Sequence, residues 1–380
     1  MRILDPDRLQ SRRAEFERRG GEHPSLGRLA ATIEPELAAG PFSVCDKPAD
    51  IVAPSGDPHD YVSLGPYWWP DPAKADGLPW VRHDGQHNPL AQQQSDRPRL
   101  AAMLNAVRRL ALGWFYLRDP RCAERAVMLL GTWFINPQTR MNPHMRFAQA
   151  IPGRCEGRGI GLIDTAGMPM LLDAVEMLAD APACSDNLRA ELARWFDALL
   201  DWMLVSVHGH EEREHPNNHG TYYDVQVARY ALFVGREVVA REVIQQVPER
   251  RIAAHIEPDG RQPRELARTR ALGYSMMNLR GLCVLARLGR GLGVDLWSYS
   301  GPGGRSIRRA IAFLEPYMTG EQAWPWPQIG EVSWEPAAAL LRLAASECDE
   351  PHYAALAQRL ALEDPGRTEC ELMFPLDGMR

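Results

Sequence analysis

The chain has 380 residues, 45% of them hydrophobic and 24% charged, and a formal net charge of −6. That length exceeds a single small core and implies two domains or one large repetitive architecture. The negative balance offers no general basic field for nucleic acid, and no apolar run reaches membrane-spanning length.

The N-terminus, "MRILDPDRLQSRRAEFERRG", has no apolar run of the signal-peptide kind. The chain as it stands is therefore expected to be cytoplasmic, and periplasmic or secreted only if an export segment precedes it. Residues 1–50 read as a charged helical segment closing on "GPFSVCDKP". Residues 51–98 differ. They are rich in Pro, Gly, Asp, His and aromatic residues and show no sustained period, which predicts a lid or functional loop. At its centre, "YVSLGPYWWPDP" sets Tyr67, Trp68 and Trp69 between prolines. The cations are almost all arginine, with Lys47 and Lys74 the only lysines. Codon bias is one reading of this and bidentate recognition of carboxylates by guanidinium the other. The seven cysteines are scattered singly from Cys45 to Cys370 without a CxxC pair, the pattern of reduced thiols and not of disulfides or a zinc site.

Residues 99–380 are expected to form one catalytic domain built from helices. "RPRLAAMLNAVRRLALGWFYL" carries Leu100, Met103, Leu104, Val107, Leu110 and Ala111 at helical spacing. "RCAERAVMLLGTWFI", "IDTAGMPMLLDAVEMLAD", "SDNLRAELARWFDALLDWMLVSV", "TYYDVQVARYALFVG", "REVVAREVIQQVPERRIAAHI", the stretch from Tyr274 to Leu288, "GGRSIRRAIAFLEPYM" and "EPAAALLRLAAS" follow the same pattern. Strand signals are nearly absent. Helix pairs joined by turns, with no repeat of fixed length, leave a helical solenoid or an α/α toroid. The aromatic segment ahead of the helices favours the toroid, because a cleft needs a lid and a scaffold does not. The predicted fold is thus all-α: an incomplete barrel of helical hairpins with an N-terminal aromatic-rich lid.

Four of the eleven histidines cluster in "HGHEEREHPNNHGTYYDVQ", residues 208–226. A zincin needs H-E-x-x-H. Here Glu214 stands where the second histidine belongs, and His215 comes one position late. Residues at i and i+5 diverge by roughly 140° on a helix. No metal site or cofactor is predicted, and His208, His210 and His215 read as a solvated helix end. Asn217 and Asn218 are N-cap candidates for a helix starting near Thr221.

Three separated motifs, "GPYWWPDP", "NNHGTYYDVQ" and "PDGRQPRELARTRALGY", together resemble the alginate lyase superfamily, polysaccharide lyase families 5 and 38, and family 38 more nearly. The likeness runs from about residue 40 to 330 and implies an α/α toroid. Those lyases use an Asn-His pair followed by Arg and then Tyr. Asn218 and His219 match the pair. Tyr274 lies 55 positions beyond His219 (274 − 219), and Arg268 is the matching arginine, with Arg264 and Arg270 as competitors. The implied substrates are uronic acid polymers, either mannuronate-rich alginate or glucuronan, cleaved by β-elimination.

The chemistry suits these residue types. H5 of a 4-linked uronate lies α to a carboxylate, so that group must be neutralised before the proton leaves; Asn218, His219 and Arg268 are suitable donors. Tyr274 would transfer the proton, its phenol lowered by Arg268. Tyr67, Trp68 and Trp69 are expected to form a sugar platform or lid, and Asn142, His144, Gln149 and Arg158 to line subsites. Asn217, Tyr222 and Arg270, within the motifs, are expected to contact substrate. Trp324 and Trp326 could close the cleft's far rim. Two other readings stand beside this one: a toroid glycoside hydrolase, for which Asp164, Asp224 and Glu265 are available carboxylates, and a non-catalytic carbohydrate-binding helical scaffold. The partner is an anionic polysaccharide or oligosaccharide in either enzyme reading.

Overall fold

The computed structural model describes residues 3–21, 23–48, 51–348, 350–360 and 366–376. The domain boundary expected at residue 50 lies outside the described residues. The N-terminal segment is two helices, α1 (Pro6–Arg18) and α2 (Pro24–Ala38). Then come strands β1 (Val62–Leu64), β2 (Trp68–Trp69) and β3 (Val81–Arg82) and the short helix α3 (Pro89–Gln93). After these, α4 (Arg97–Leu112), α5 (Pro120–Leu130), strand β4 (Phe147–Ala150), α6 (Met168–Met177), α7 (Asp186–Val205), α8 (Val207–Arg213), α9 (Asn218–Phe233) and α10 (Glu237–Val247) follow in order. The chain closes with α11 (Pro263–Leu266), α12 (Ala271–Arg290), α13 (Ile307–Met318), α14 (Glu335–Cys348), α15 (Pro351–Arg359) and α16 (Gly366–Met373).

The helix starts obey local chemistry. Asp5, Asp119, Ser185, Asn217 and Ser306 each cap a following helix by accepting its free backbone N–H groups. Helices α4 and α5 both run into a π-helical turn that begins at a glycine and carries aromatic residues, Gly113–Leu117 and Gly131–Ile135. These wider turns end the hairpin arms without breaking the hydrogen-bonded ladder.

The architecture is the expected α/α toroid. α4 packs on α6, α6 on α9, α9 on α12, α12 on α14 and α14 on α16, while α5, α10 and α15 return on the outside against α4, α9 and α14. α16 reaches back to α2 and α4 and closes the inner ring. Closure has a specific polar lock: Glu369 of α16 accepts from Arg108 at 2.7 Å and from Arg109 at 2.6 Å. α9 and α12 are buried along most of their length, as inner helices should be. They run in the same sense, since Asn218 meets Glu265 just before α12, Thr221 meets Asn278, and Tyr222 packs on Gly281. Their N-termini therefore open at the same end of the ring.

The lid segment is more ordered than its composition predicts. β1 pairs in parallel with β4, and β2 pairs antiparallel with β3, with Trp68 opposite Arg82 and Trp69 opposite Val81. The strands are two to four residues long, too short for an alternating sequence signal. Asp96, fully buried, anchors the segment's end by accepting from Val62 N at 2.8 Å and pairing with Lys47 at 3.1 Å.

Candidate active site

The site assembles where α9 and α12 begin. Asn217 caps α9 by accepting from His219 N, so the helix starts at Asn218 and not near Thr221. Asn218 and His219 thus sit in the first turn, at the positive end of the helix. Gly220 follows because a Cβ there would collide with the His215 carbonyl and the Arg251 guanidinium.

Each of the two is held by a buried carboxylate. Asn218, 1% exposed, donates from its backbone N to Glu265 Oε1 at 2.7 Å and from Nδ2 to Glu265 Oε2 at 2.8 Å. His219 Nδ1 lies 2.8 Å from Oε1 of Glu212, which is fully buried in α8. Burial pushes both carboxyls above the usual range; His219 and nearby arginines oppose this at Glu212, and the bonds from Asn218 oppose it at Glu265.

Tyr274 stands on the first turn of α12. Its hydroxyl lies 3.0 Å from Arg268 Nη2 and 2.5 Å from the Tyr67 hydroxyl. The Arg268 guanidinium also covers the Tyr274 ring, 4.0 Å from its centroid. Arg268 is itself gripped by Asp84, which accepts from Nε at 3.1 Å and from Nη2 at 2.8 Å and also takes the Thr269 backbone N–H at 3.2 Å. Burial alone would raise the Asp84 carboxyl, but these bonds and the Arg268 charge hold it well below the usual carboxylate range.

The Tyr274 phenol departs from expectation. Arg268 does favour the phenolate, but burial, and after it Tyr67, outweigh that pull and leave the phenol above its ordinary value.

The aromatic run divides. Tyr67, in the turn ahead of β2, bonds to Tyr274, while Trp68, the first residue of the strand, packs with Trp80, Ile151 and Leu64. The Arg154 and Arg158 guanidiniums lie 4.9 and 5.8 Å from the Trp68 ring centroid, and Trp69 donates from Nε1 to the Gln86 carbonyl at 3.2 Å. The three aromatics do not make one continuous platform.

Of the expected subsite residues, Gln149 and Arg158 belong together. Gln149 adopts a left-handed backbone with φ of 52°, uncommon for a residue other than glycine. It accepts from Arg158 Nη2 at 2.9 Å and from Nε at 3.0 Å, and donates to Asp164 at 3.0 Å. Burial pushes Arg158 down to about 10, which still leaves it cationic at neutral pH. Asn142 and His144 are spent elsewhere: Asn142 Nδ2 donates to Asp57 and Asp60 at 3.0 and 2.7 Å, and His144 meets Asp60 at 3.0 Å. Tyr222 is a buried inner-ring residue against Gly281. Arg270 binds the Gly85 carbonyl at 2.9 Å and bridges to Gln328, tying lid, α12 and the 324–330 loop together. Trp324 and Trp326 pack on each other and on Tyr317, with centroids 4.8, 4.9 and 6.0 Å apart.

The expected helix end is only partly that. His210 is exposed and His208 pairs with Glu211, but His215 is half-buried with its ring 5.0 Å from that of His219, inside the site. Burial, then the neighbouring His219, pushes His215 down to about 4. Among the described residues no group of three or more His, Cys, Asp and Glu is placed to hold a metal. The carboxylates offered for a hydrolase are all engaged: Asp164 by Tyr61, Ser63 and Gln149, Asp224 by Arg251 at 2.7 Å, Glu265 by Asn218. Glu212, Asp84 and His215 escaped the sequence reading. Nothing in a lone carboxylate such as Asp84 marks it as the partner of Arg268, 184 positions along the chain.

A ring of paired helices with Tyr, Arg, Asn and His converging at its mouth is the frame of an α/α-toroid polysaccharide lyase. The alginate lyase family model matches residues 43–324, and the chain belongs to that family. A crystal structure of an alginate lyase from Bacteroides ovatus is 37% identical, with a TM-score of 0.91 over 99% of each chain. Alginate lyase A1-III from Sphingomonas species A1 shares the fold at 14% identity, with a TM-score of 0.62 over 98% of this chain and 95% of that one. A histidine-to-alanine variant of A1-III complexed with a tetrasaccharide gives 15% identity and a TM-score of 0.63 over 100% and 96%. A comparison with curated proteins finds no match.

Proposed function

We propose that this polysaccharide lyase cleaves a 1,4-linked polyuronate, mannuronate-rich alginate or glucuronan, with Tyr274 carrying the proton. The observation that supports this most is the Tyr274 hydroxyl held between Arg268 and Tyr67, at 3.0 and 2.5 Å, beside the carboxylate-backed pair Asn218 and His219. In its phenolate form Tyr274 takes H5. The C5–H electrons form the C4–C5 double bond, O4 leaves with its bonding pair, and the proton returns from Tyr274 to O4. The phenolate is thereby regenerated.

The division of labour differs from the simplest scheme. Asp84 takes Nε and one N–H of Nη2 of Arg268 and the Tyr274 oxygen takes another bond from Nη2, so Arg268 holds the Tyr274 oxygen and keeps its Nη1 donors for other groups. Neutralising the uronate carboxylate falls to Asn218, whose Nδ2 keeps a second N–H, and to His219. Arg158 adds a cation that bonds to the neutral acceptors of Gln149. The dipoles of α9 and α12 open at the same mouth, so a chain of net charge −6 can still receive a polyanion.

In mannuronate and glucuronate, H5 and O4 lie on one face of the ring, so a single residue serves both steps; in guluronate they lie on opposite faces. Absorbance of the unsaturated uronate end, followed with polymannuronate, polyguluronate and glucuronan, tests the reading. Polymannuronate or glucuronan should respond most strongly. New reducing ends without that absorbance would replace the lyase with a hydrolase. The seven unpaired cysteines fit work in a reducing compartment on imported oligosaccharides, which cell fractionation tests.

A further inference from the structure

Glu212 is an unusual residue to find fully buried in a seven-residue helix. A buried carboxylate costs free energy unless it is paired, and here one oxygen remains without a hydrogen-bond partner. Oε1 meets His219 Nδ1 at 2.8 Å, while Oε2 is buried and unpartnered. The charged groups around the pair come from several elements: Arg158 ahead of the 3-10 turn at Gly159–Thr165, Arg251 after α10, His215 beside His219, and Glu265 behind Asn218. On its own helix, His208 and Glu211 pair with each other, and Glu211 also accepts from Gly159 N at 3.0 Å. Glu212 is thus left to one partner.

We infer that Glu212 is a positioning residue that fixes the ring orientation and tautomer of His219, and so decides which nitrogen meets the uronate. This rests on the lyase reading given above. With Nδ1 engaged by Glu212, Nε2 is the ring nitrogen that remains for the substrate. A carboxylate can only accept, so it keeps a proton on Nδ1. Neutral His219 then presents an Nε2 lone pair, able to remove H5 from the face opposite Tyr274; protonated His219 presents Nε2–H to the substrate carboxylate. A free histidine ring prefers its proton on Nε2, which would leave no acceptor facing the sugar. The geometry matches the general rule that a carboxylate behind a functional histidine sets its tautomer and angle.

Glu212→Leu keeps the volume and removes the acceptor; Glu212→Gln keeps an acceptor oxygen. The test combines steady-state kinetics on the best polymer of the panel with ¹⁵N NMR of the His219 ring and with Tm for each variant. The expected result is a fall in kcat of about 10–100-fold for Glu212→Leu with a smaller change in KM, partial rescue by Glu212→Gln, and loss of the protonated Nδ1 signal only in Glu212→Leu. Unchanged kcat in a folded Glu212→Leu protein would overturn the proposal. So would a wild-type ring protonated on Nε2 alone, or equal losses in both variants that track Tm. If the wild-type protein makes no unsaturated product from any polymer, the lyase reading fails, while the NMR arm still reports on the Glu212–His219 pair.

Discussion

The hydroxyl of Tyr67, carried by the lid, lies 2.5 Å from the hydroxyl of Tyr274 on the first turn of α12, although 207 positions separate the two. The lid and the first turn of α12 are thus joined through the two hydroxyls. Burial and Tyr67 raise the Tyr274 phenol, with Arg268 pulling the other way. In the proposed mechanism the deprotonated form is the base, so kcat should climb with pH from neutral into the alkaline range. Arg268→Ala removes the opposing cation and should move that limb further alkaline. A pH–rate profile of both proteins measures this; a flat wild-type profile would separate Tyr274 from the proton transfer.

Tyr274→Phe removes the oxygen that the proposed mechanism uses to carry the proton, and little else. Turnover should fall by about 10²–10⁴-fold, while oligosaccharide binding measured by calorimetry persists. Tyr67→Phe keeps the ring against His87, 5.1 Å away, and should cost less. Equal losses for the two would mean that the hydroxyl pair and not Tyr274 alone is the reacting group.

Asp84 ties Arg268 and Thr269 to the loop that carries Gly85. Gly85 is required there because its φ is positive and a Cβ would collide with the Thr269 hydroxyl. Asp84→Asn weakens this latch. The expectation is a several-fold lower kcat and faster limited proteolysis between residues 70 and 90. Proteolysis at the wild-type rate would show that Tyr67 and Arg270 hold the lid without Asp84.

Ring closure has its own test. Burial would raise the Glu369 carboxyl, but Arg108 and Arg109 outweigh it and hold it below its ordinary value. Its stabilisation is therefore present above the unfolded carboxylate pKa and is lost as pH falls through the lower, folded one. Glu369→Gln should cost about 1–3 kcal/mol near neutral pH and lower Tm, and the gap from wild type should narrow in acid. A constant gap at every pH would mean that packing and not charge explains the loss.

Much of the fold was legible because helical periodicity is local. Leu100 to Ala111, or Tyr274 to Leu288, repeat their apolar residues every three to four positions, and this requires no knowledge of the neighbours. Asn218, His219, Arg268 and Tyr274 stand out as motif residues, and the structure brings them to the starts of two adjacent inner helices. Less legible were β1 to β4, too short to show alternation, and α15 and α16, which lie beyond the last periodic stretch recognised. His215 looked like a helix end because its spacing excludes a zincin, yet spacing says nothing about what folds over it.

The sequence by itself determined the helical class and the lid's distinct composition, since each depends on residue type and short-range order, while the resemblance to the alginate lyases pointed to Asn218, His219, Arg268 and Tyr274. Only the tertiary structure decided how those residues are armed. Asp84 reaches Arg268 across 184 positions, Glu265 reaches Asn218 across 47, and Tyr67, in the turn before β2, reaches Tyr274 while Trp68 packs with Trp80 and Ile151. Burial then reverses the simple expectation at Tyr274: desolvation is a property of the whole packed environment, and in this site it outweighs the one cation that the sequence had placed nearby.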